Sequence, residues 1–206
     1  MNSLREELGG EPVTAATPYT LLCPPGWRRI PAAALADDVT VAPVVAQLKA
    51  SGRPDLVLAF RAMLVRYRGA VRESGAFRAY LAPLADGIPL PAVMLVSPFV
   101  LPDTTTWEMA LARLARGSAV GDADFTETPM WVWRGSGRTG DDGAVLAGRS
   151  SHYLVPTAEP GARRALYFHF TALAADDPQT LALAETLVRV GDLMMGTMRW
   201  VHAGAR

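Results

Sequence analysis

Cysteine, lysine and net charge are what this 206-residue chain has least of. A single cysteine, Cys23, excludes an internal disulfide and every multi-cysteine zinc arrangement, and it points to a reducing compartment and a cytoplasmic location. Lys49 is the only lysine; every other basic residue is arginine, which suits a GC-rich coding bias and supplies rigid forks for carboxylates. Twenty basic residues balance twenty acidic ones, so no global field draws the chain to nucleic acid or to an anionic membrane. No stretch approaches the roughly 20 unbroken apolar residues that a spanning helix needs. Membrane insertion and a nucleic-acid partner are therefore not expected.

What is present is apolar: 50% of the residues, enough for a sizeable core in one domain. Residues 1–17 carry Arg5, Glu6, Glu7 and Glu11 without an apolar run, and read as a loose tail with no secretory leader, ahead of one domain over 18–206. Leu22 is not small and no apolar run precedes Cys23, so this cysteine does not read as a lipid attachment site.

Local patterns predict an ordered series of elements. Residues 19–23 read as a short strand stopped by Pro24, Pro25 and Gly26, with Trp27 plugging the edge of the core. A short helix over 38–50 is expected to be interrupted by Pro43. Residues 53–74 form a stronger helix, with Leu56, Phe60, Met63, Leu64, Tyr67 and Val71 on one face and Arg61, Arg68 and Arg72 on a solvated one. A hairpin follows over 76–84 and 90–101 around Ala85, Asp86 and Gly87. Thr105 or Thr106 caps a helix from Trp107 to Ala115. Residues 121–128 read as a loop or edge strand, 129–134 as a strand with Trp131 and Trp133 on one face, 135–143 as a turn, and 145–156 as the return strand. Glu159, Pro160 and Gly161 turn the chain into a strand over 164–172.

The last element is a helix read from 177 to 200, capped by Asp177 with Pro178 at its first position. Leu181, Ala184, Leu187, Val188, Gly191, Met194, Met195 and Met198 recur at spacings of three and four on one face, which must be buried. Hairpin connections in the second half imply a mainly antiparallel sheet, and its apolar runs call for helices on both faces.

Candidates for chemistry are few. Gly135, Gly137 and Gly140 superficially resemble a phosphate loop, but Asp141 and Asp142 follow where a helix N-terminus is required. That segment reads as a hairpin loop. His152, His169 and His202 are the only histidines. Ser151 and His152 are neighbours in a strand and project to opposite faces, and no Gly-x-Ser-x-Gly elbow exists, which argues against a serine hydrolase. Asp122, Asp124 and Glu127 lack the glycine and distant glutamate of a calcium loop, so no metal and no cofactor is expected.

Tyr19 to Trp27 with its Pro-Pro-Gly-Trp turn, the central helix and hairpins, and the closing helix together resemble the PsbP-like superfamily over about residues 18–202. The resemblance implies an α/β/α sandwich around an antiparallel sheet, and a role in binding proteins or small ligands without catalysis. This chain departs from exported members in lacking a leader and a lipidated cysteine. The reading drawn is a non-catalytic binding module: a cytoplasmic protein-interaction adaptor or chaperone, of the kind associated with secretion. Its candidate binding residues are Trp27, Trp131, Trp133, Met194, Met195 and Met198. Two alternatives stay open, a binder of small apolar ligands and an enzyme using His152 or His169 with an acidic partner.

Overall fold

A computed structural model describes residues 18–50, 52, 57, 61, 65, 68–69, 71–85, 88–139, 146–175 and 177–201. The expected tail over 1–17, the turn at Asp86 and Gly87, the segment 140–145 and His202 lie outside the described residues. Within 53–74, positions 57, 61, 65, 68–69 and 71–74 are described, and all are helical.

The strands are β1 (Tyr19–Thr20), β2 (Arg28–Pro31), β3 (Arg78–Leu81), β4 (Leu84–Ala85), β5 (Ile88–Pro89), β6 (Ala92–Val100), β7 (Val120–Asp122), β8 (Trp131–Thr139), β9 (Leu146–Pro156), β10 (Arg164–Ala175) and β11 (Arg199–Trp200). The named helices are α1 (Asp38–Ala50), α2 (Trp107–Ala115) and α3 (Pro178–Gly196). Seven strands form one sheet in the order β2-β3-β6-β10-β9-β8-β7, and every pairing is antiparallel. β10 lies at its centre because its alternation supplies both faces. Leu166, Phe168 and Phe170 are buried on one side, while Tyr167 and His169 take the other.

α3 covers the first face. Asp177 caps it by accepting from the N–H groups of Gln179 (3.0 Å) and Thr180 (2.9 Å), and Pro178 loses nothing at a position whose N–H has no helical partner. Its buried residues are Ala184, Leu187, Gly191, Met194 and Met195, which join Met94, Val96, Phe168 and Phe170 in the main core. At Gly191 the helix comes close enough that a Cβ would lie 2.9 Å from Phe170 Cδ2. The opposite face is covered in two places. Leu35, from a 3₁₀ turn over Ala32–Ala36, packs with Val71 on Ala79 and Leu95, and α2 brings Leu111 and Ala115 onto Trp133, Leu154 and Ala165. Leu95 alternates with Met94 and Val96, so Val71 and α3 lie on opposite sides of the sheet. The protein is thus a mixed α+β fold with helices on both faces of an antiparallel sheet.

Three local expectations are corrected. α1 runs through Pro43 without a break, since Pro43 and Val39 four residues before it are both exposed and water can reach the carbonyl left without a donor. The closing helix stops at Gly196: the Thr197 hydroxyl bonds back to the Met194 carbonyl (2.7 Å) and accepts from Leu22 N–H (3.0 Å), and Arg199–Trp200 leave to pair with β1. Gly135 to Thr139 are strand, not loop, because ladder pairing with Leu146 to Ser150 overrides their weak β propensity. The expected hairpin holds: β3 pairs antiparallel with β6, and β4 pairs with β5 between them. The strand read over 19–23 is limited to Tyr19–Thr20, while Thr106 caps α2 through Met109 N–H (3.3 Å) and 120–122 form an edge strand on β8, as expected.

Candidate functional site

The sheet face opposite α3 brings Trp133, His152 and His169 side by side, because the three are register partners on β8, β9 and β10. Their rings stack across the strands. Trp133 and His152 are 5.1 Å apart at 4°, and His152 and His169 are 4.4 Å apart at 13°. Tyr167 stacks 5.8 Å from Trp133, and its hydroxyl meets His152 Nδ1 at 2.6 Å. On the other ring edge, His152 Nε2 meets Ser150 Oγ at 3.0 Å, and His169 Nε2 meets Thr171 Oγ1 at 3.1 Å. Two imidazole edges and two hydroxyls therefore converge where β9 and β10 carry Ser150 opposite Thr171. Gly135, the partner of Ser150 on β8, makes room for them: a Cβ there would lie 2.5 Å from Ser150 Oγ and 3.3 Å from His152 Nε2. Ser150, His152, His169 and Thr171 are all partly exposed.

Burial sets the electrostatics. The His152 imidazole is pushed down to about 3, first by desolvation, then by the positive charge that His169 or Arg134 would place beside it. His169 keeps some exposed surface, yet its ring is packed deeply enough that desolvation lowers it to about 4. Desolvation raises the Tyr167 phenol. All three groups are neutral at pH 7, and His152 bonds to a phenol where a catalytic base would have a carboxylate. Among the described residues no group of three His, Cys, Asp or Glu could hold a metal ion.

The expected binding residues do not assemble here. Met194, Met195 and Met198 are fully buried in the main core, and Trp27 is half-buried at its edge, 6.0 Å from Phe170. Trp131 and Trp133 share a face as their spacing requires, but Trp133 is only 3% exposed, beneath α2, and the Trp131 ring packs 5.2 Å from Trp107, tilted by 39°. Ser150 and Tyr167 are not among the site residues expected from the sequence. Ser151 faces away from His152, whereas Ser150, two residues back, shares its face; the period of two in a strand carries that signal.

A second polar cluster lies on the α3 side. The Arg134 guanidinium donates to both carboxylate oxygens of Asp192 (2.8 Å each) and to Ser151 Oγ. The Tyr153 hydroxyl donates to Asp192 Oδ1 (2.7 Å). This cluster ties α3 to β8 and β9 around a fully buried tyrosine and serine. No known protein family matches this chain, and no curated protein is similar to it. No helix among the described residues is long and apolar enough to cross a membrane.

Proposed function

We propose that this domain is a non-catalytic binding module that takes a small uncharged ligand against the Ser150–His152–His169–Thr171 surface. The observation that carries the reading is the convergence of two neutral imidazole edges and two hydroxyls on a partly exposed sheet face. Neutral imidazoles offer both a donor and an acceptor without the cost of burying a charge. Titrating near 3 and 4, they are weak bases at neutral pH, where proton transfer favours a group with a pKa near the working pH. The stacked rings of Trp133 and Tyr167 give the site a rigid wall. The test follows the histidine ring nitrogens by NMR while a panel of neutral polar compounds is added. Ligands are expected to shift the His152 and His169 Nε2 resonances and to lose affinity in Ser150→Ala and Thr171→Ala. Ligands that leave those resonances unmoved, or that are chemically consumed, would overturn the reading.

A protein-interaction role has its own support. Leu22 and Leu193 are 70% and 72% exposed beside the end of α3, where Leu22 N–H bonds to Thr197 and Phe125 lies against Gly196. Under this reading Leu193→Glu abolishes binding to a partner while His152→Ala leaves it intact.

A further inference from the structure

The two edges of the large sheet are finished differently. β2, at one edge, is four residues long, begins with Arg28 and Arg29 and ends in Pro31, all devices that discourage strand addition. At the other edge β7 pairs only with Trp131 to Trp133, leaving Arg134 to Thr139 of β8 without a neighbour on that side among the described residues. The direction of the free groups follows from one bond. Ala123 N–H donates to the Met130 carbonyl (3.0 Å), so even-numbered residues of this strand turn their backbone groups toward the β7 side. The pairing of β8 with β9 keeps one register from Trp131 to Thr139, without a bulge. The N–H and C=O of Arg134, Ser136 and Arg138 therefore point outward in a row.

We infer that this open edge of β8 is a homodimer interface, at which a second copy of the chain adds its own β8 antiparallel about a two-fold axis at Gly137. In that register Ser136 faces the partner copy's Arg138 twice, giving four backbone hydrogen bonds, and Gly137 faces itself in a non-hydrogen-bonded pair. Three features favour a second copy over a foreign strand. The register sets no arginine opposite an arginine. Arg134, at the start of the edge, is already neutralised by Asp192. The chain has no formal net charge to hold two copies apart. Gly135 and Gly137 place no side chain at their positions, and among the described residues, chain neighbours aside, no atom lies within 4 Å of a Cβ built on Gly137. Main-chain bonds supply the affinity in strand addition, as in other β-augmented complexes.

The test is the mass of the full chain by light scattering, from about 5 to about 500 µM, a span that covers weak association through a small interface. Dimer is expected to accumulate with concentration. Ser136→Lys, whose side chain would be solvent-exposed in the monomer, sets a cation against Arg138 and is expected to weaken the dimer at least tenfold; Ser136→Lys with Arg138→Glu restores it. Gly137→Cys in a Cys23→Ser background is expected to form a disulfide-linked dimer under copper phenanthroline and air. The paired Cα atoms would be about 4.5 Å apart, inside the roughly 4.4–6.8 Å span of disulfides. Thermal melts of each variant establish that the monomer is folded. A wild-type chain that stays monomeric over the whole range overturns the proposal, as does a dimer indifferent to Ser136→Lys or one that never cross-links through position 137.

Discussion

Replacing Gly191 tests the packing of α3 on the sheet. A Cβ at that position would lie 2.9, 3.0 and 3.2 Å from three atoms of the Phe170 ring, closer than carbon atoms pack without strain. Phe170 cannot retreat, because it is fully buried between α3 and the neighbouring strands. Two terms oppose each other in Gly191→Ala: helix propensity favours alanine by about 1 kcal/mol, and overpacking costs about 1–3 kcal/mol. The overpacking term wins, with a net loss of about 1 kcal/mol for alanine and about 2 kcal/mol for Gly191→Leu, whose extra carbons have no space to enter. In a domain of this size each kcal/mol corresponds to roughly 2–4 °C in the melting midpoint. Urea melts followed by tryptophan fluorescence should show a lower midpoint at unchanged slope. Phe170→Leu should cost less in the Gly191→Ala background than alone, a coupling of about 0.5 kcal/mol or more for residues in contact. If Gly191→Ala raises stability by its full propensity gain, and the cycle shows no coupling, the close approach of helix and sheet is refuted.

Acid should destabilise the protein through its histidines. An unfolded imidazole titrates near 6.5, and the folded values for His152 and His169 are depressed to about 3 and about 4, so between those limits the unfolded chain binds more protons. Stability is fully present above about pH 7 and drains as the pH falls toward 3; melts at a series of pH values should show this slope, reduced in His152→Phe, and a flat profile would contradict it. Gly135→Ala should destabilise through its 2.5 Å approach to Ser150 Oγ, and Ser150→Ala should recover most of the loss in denaturant melts; no rescue would place the strain elsewhere. Asp192→Ala should cost more than Tyr153→Phe, because it removes the carboxylate that accepts from both Arg134 and the buried Tyr153 hydroxyl, about 1–3 kcal/mol against about 1 kcal/mol, and equal losses would argue that the cluster is not coupled.

Much of the architecture was legible in the chain because it is written in short-range periodicity. The period of two in 166–170 placed Phe168 and Phe170 opposite Tyr167, and the three-four spacing from Ala184 to Met195 defined the buried face of α3, as Asp177 and Pro178 defined its start. Gly191 within that stripe signalled a close approach, because a helix rarely carries a glycine at a buried position without a packing reason. Local pattern failed where a distant strand outweighed it. Gly135 to Thr139 have the composition of a loop and became strand only by pairing with Leu146 to Ser150, and Arg199 and Trp200 left the helical pattern to pair with β1, about 180 residues back in the chain. The site followed the same division. Alternation alone sets Ser150 and His152 on one face, but register across three strands is what stacks Trp133, His152 and His169, and no spacing within one strand encodes that register. Sequence likewise fixed the apolar character of Trp133 and Met194 but not their depth, since burial is a property of the layers that close over a residue, here α2 over one sheet face and α3 over the other.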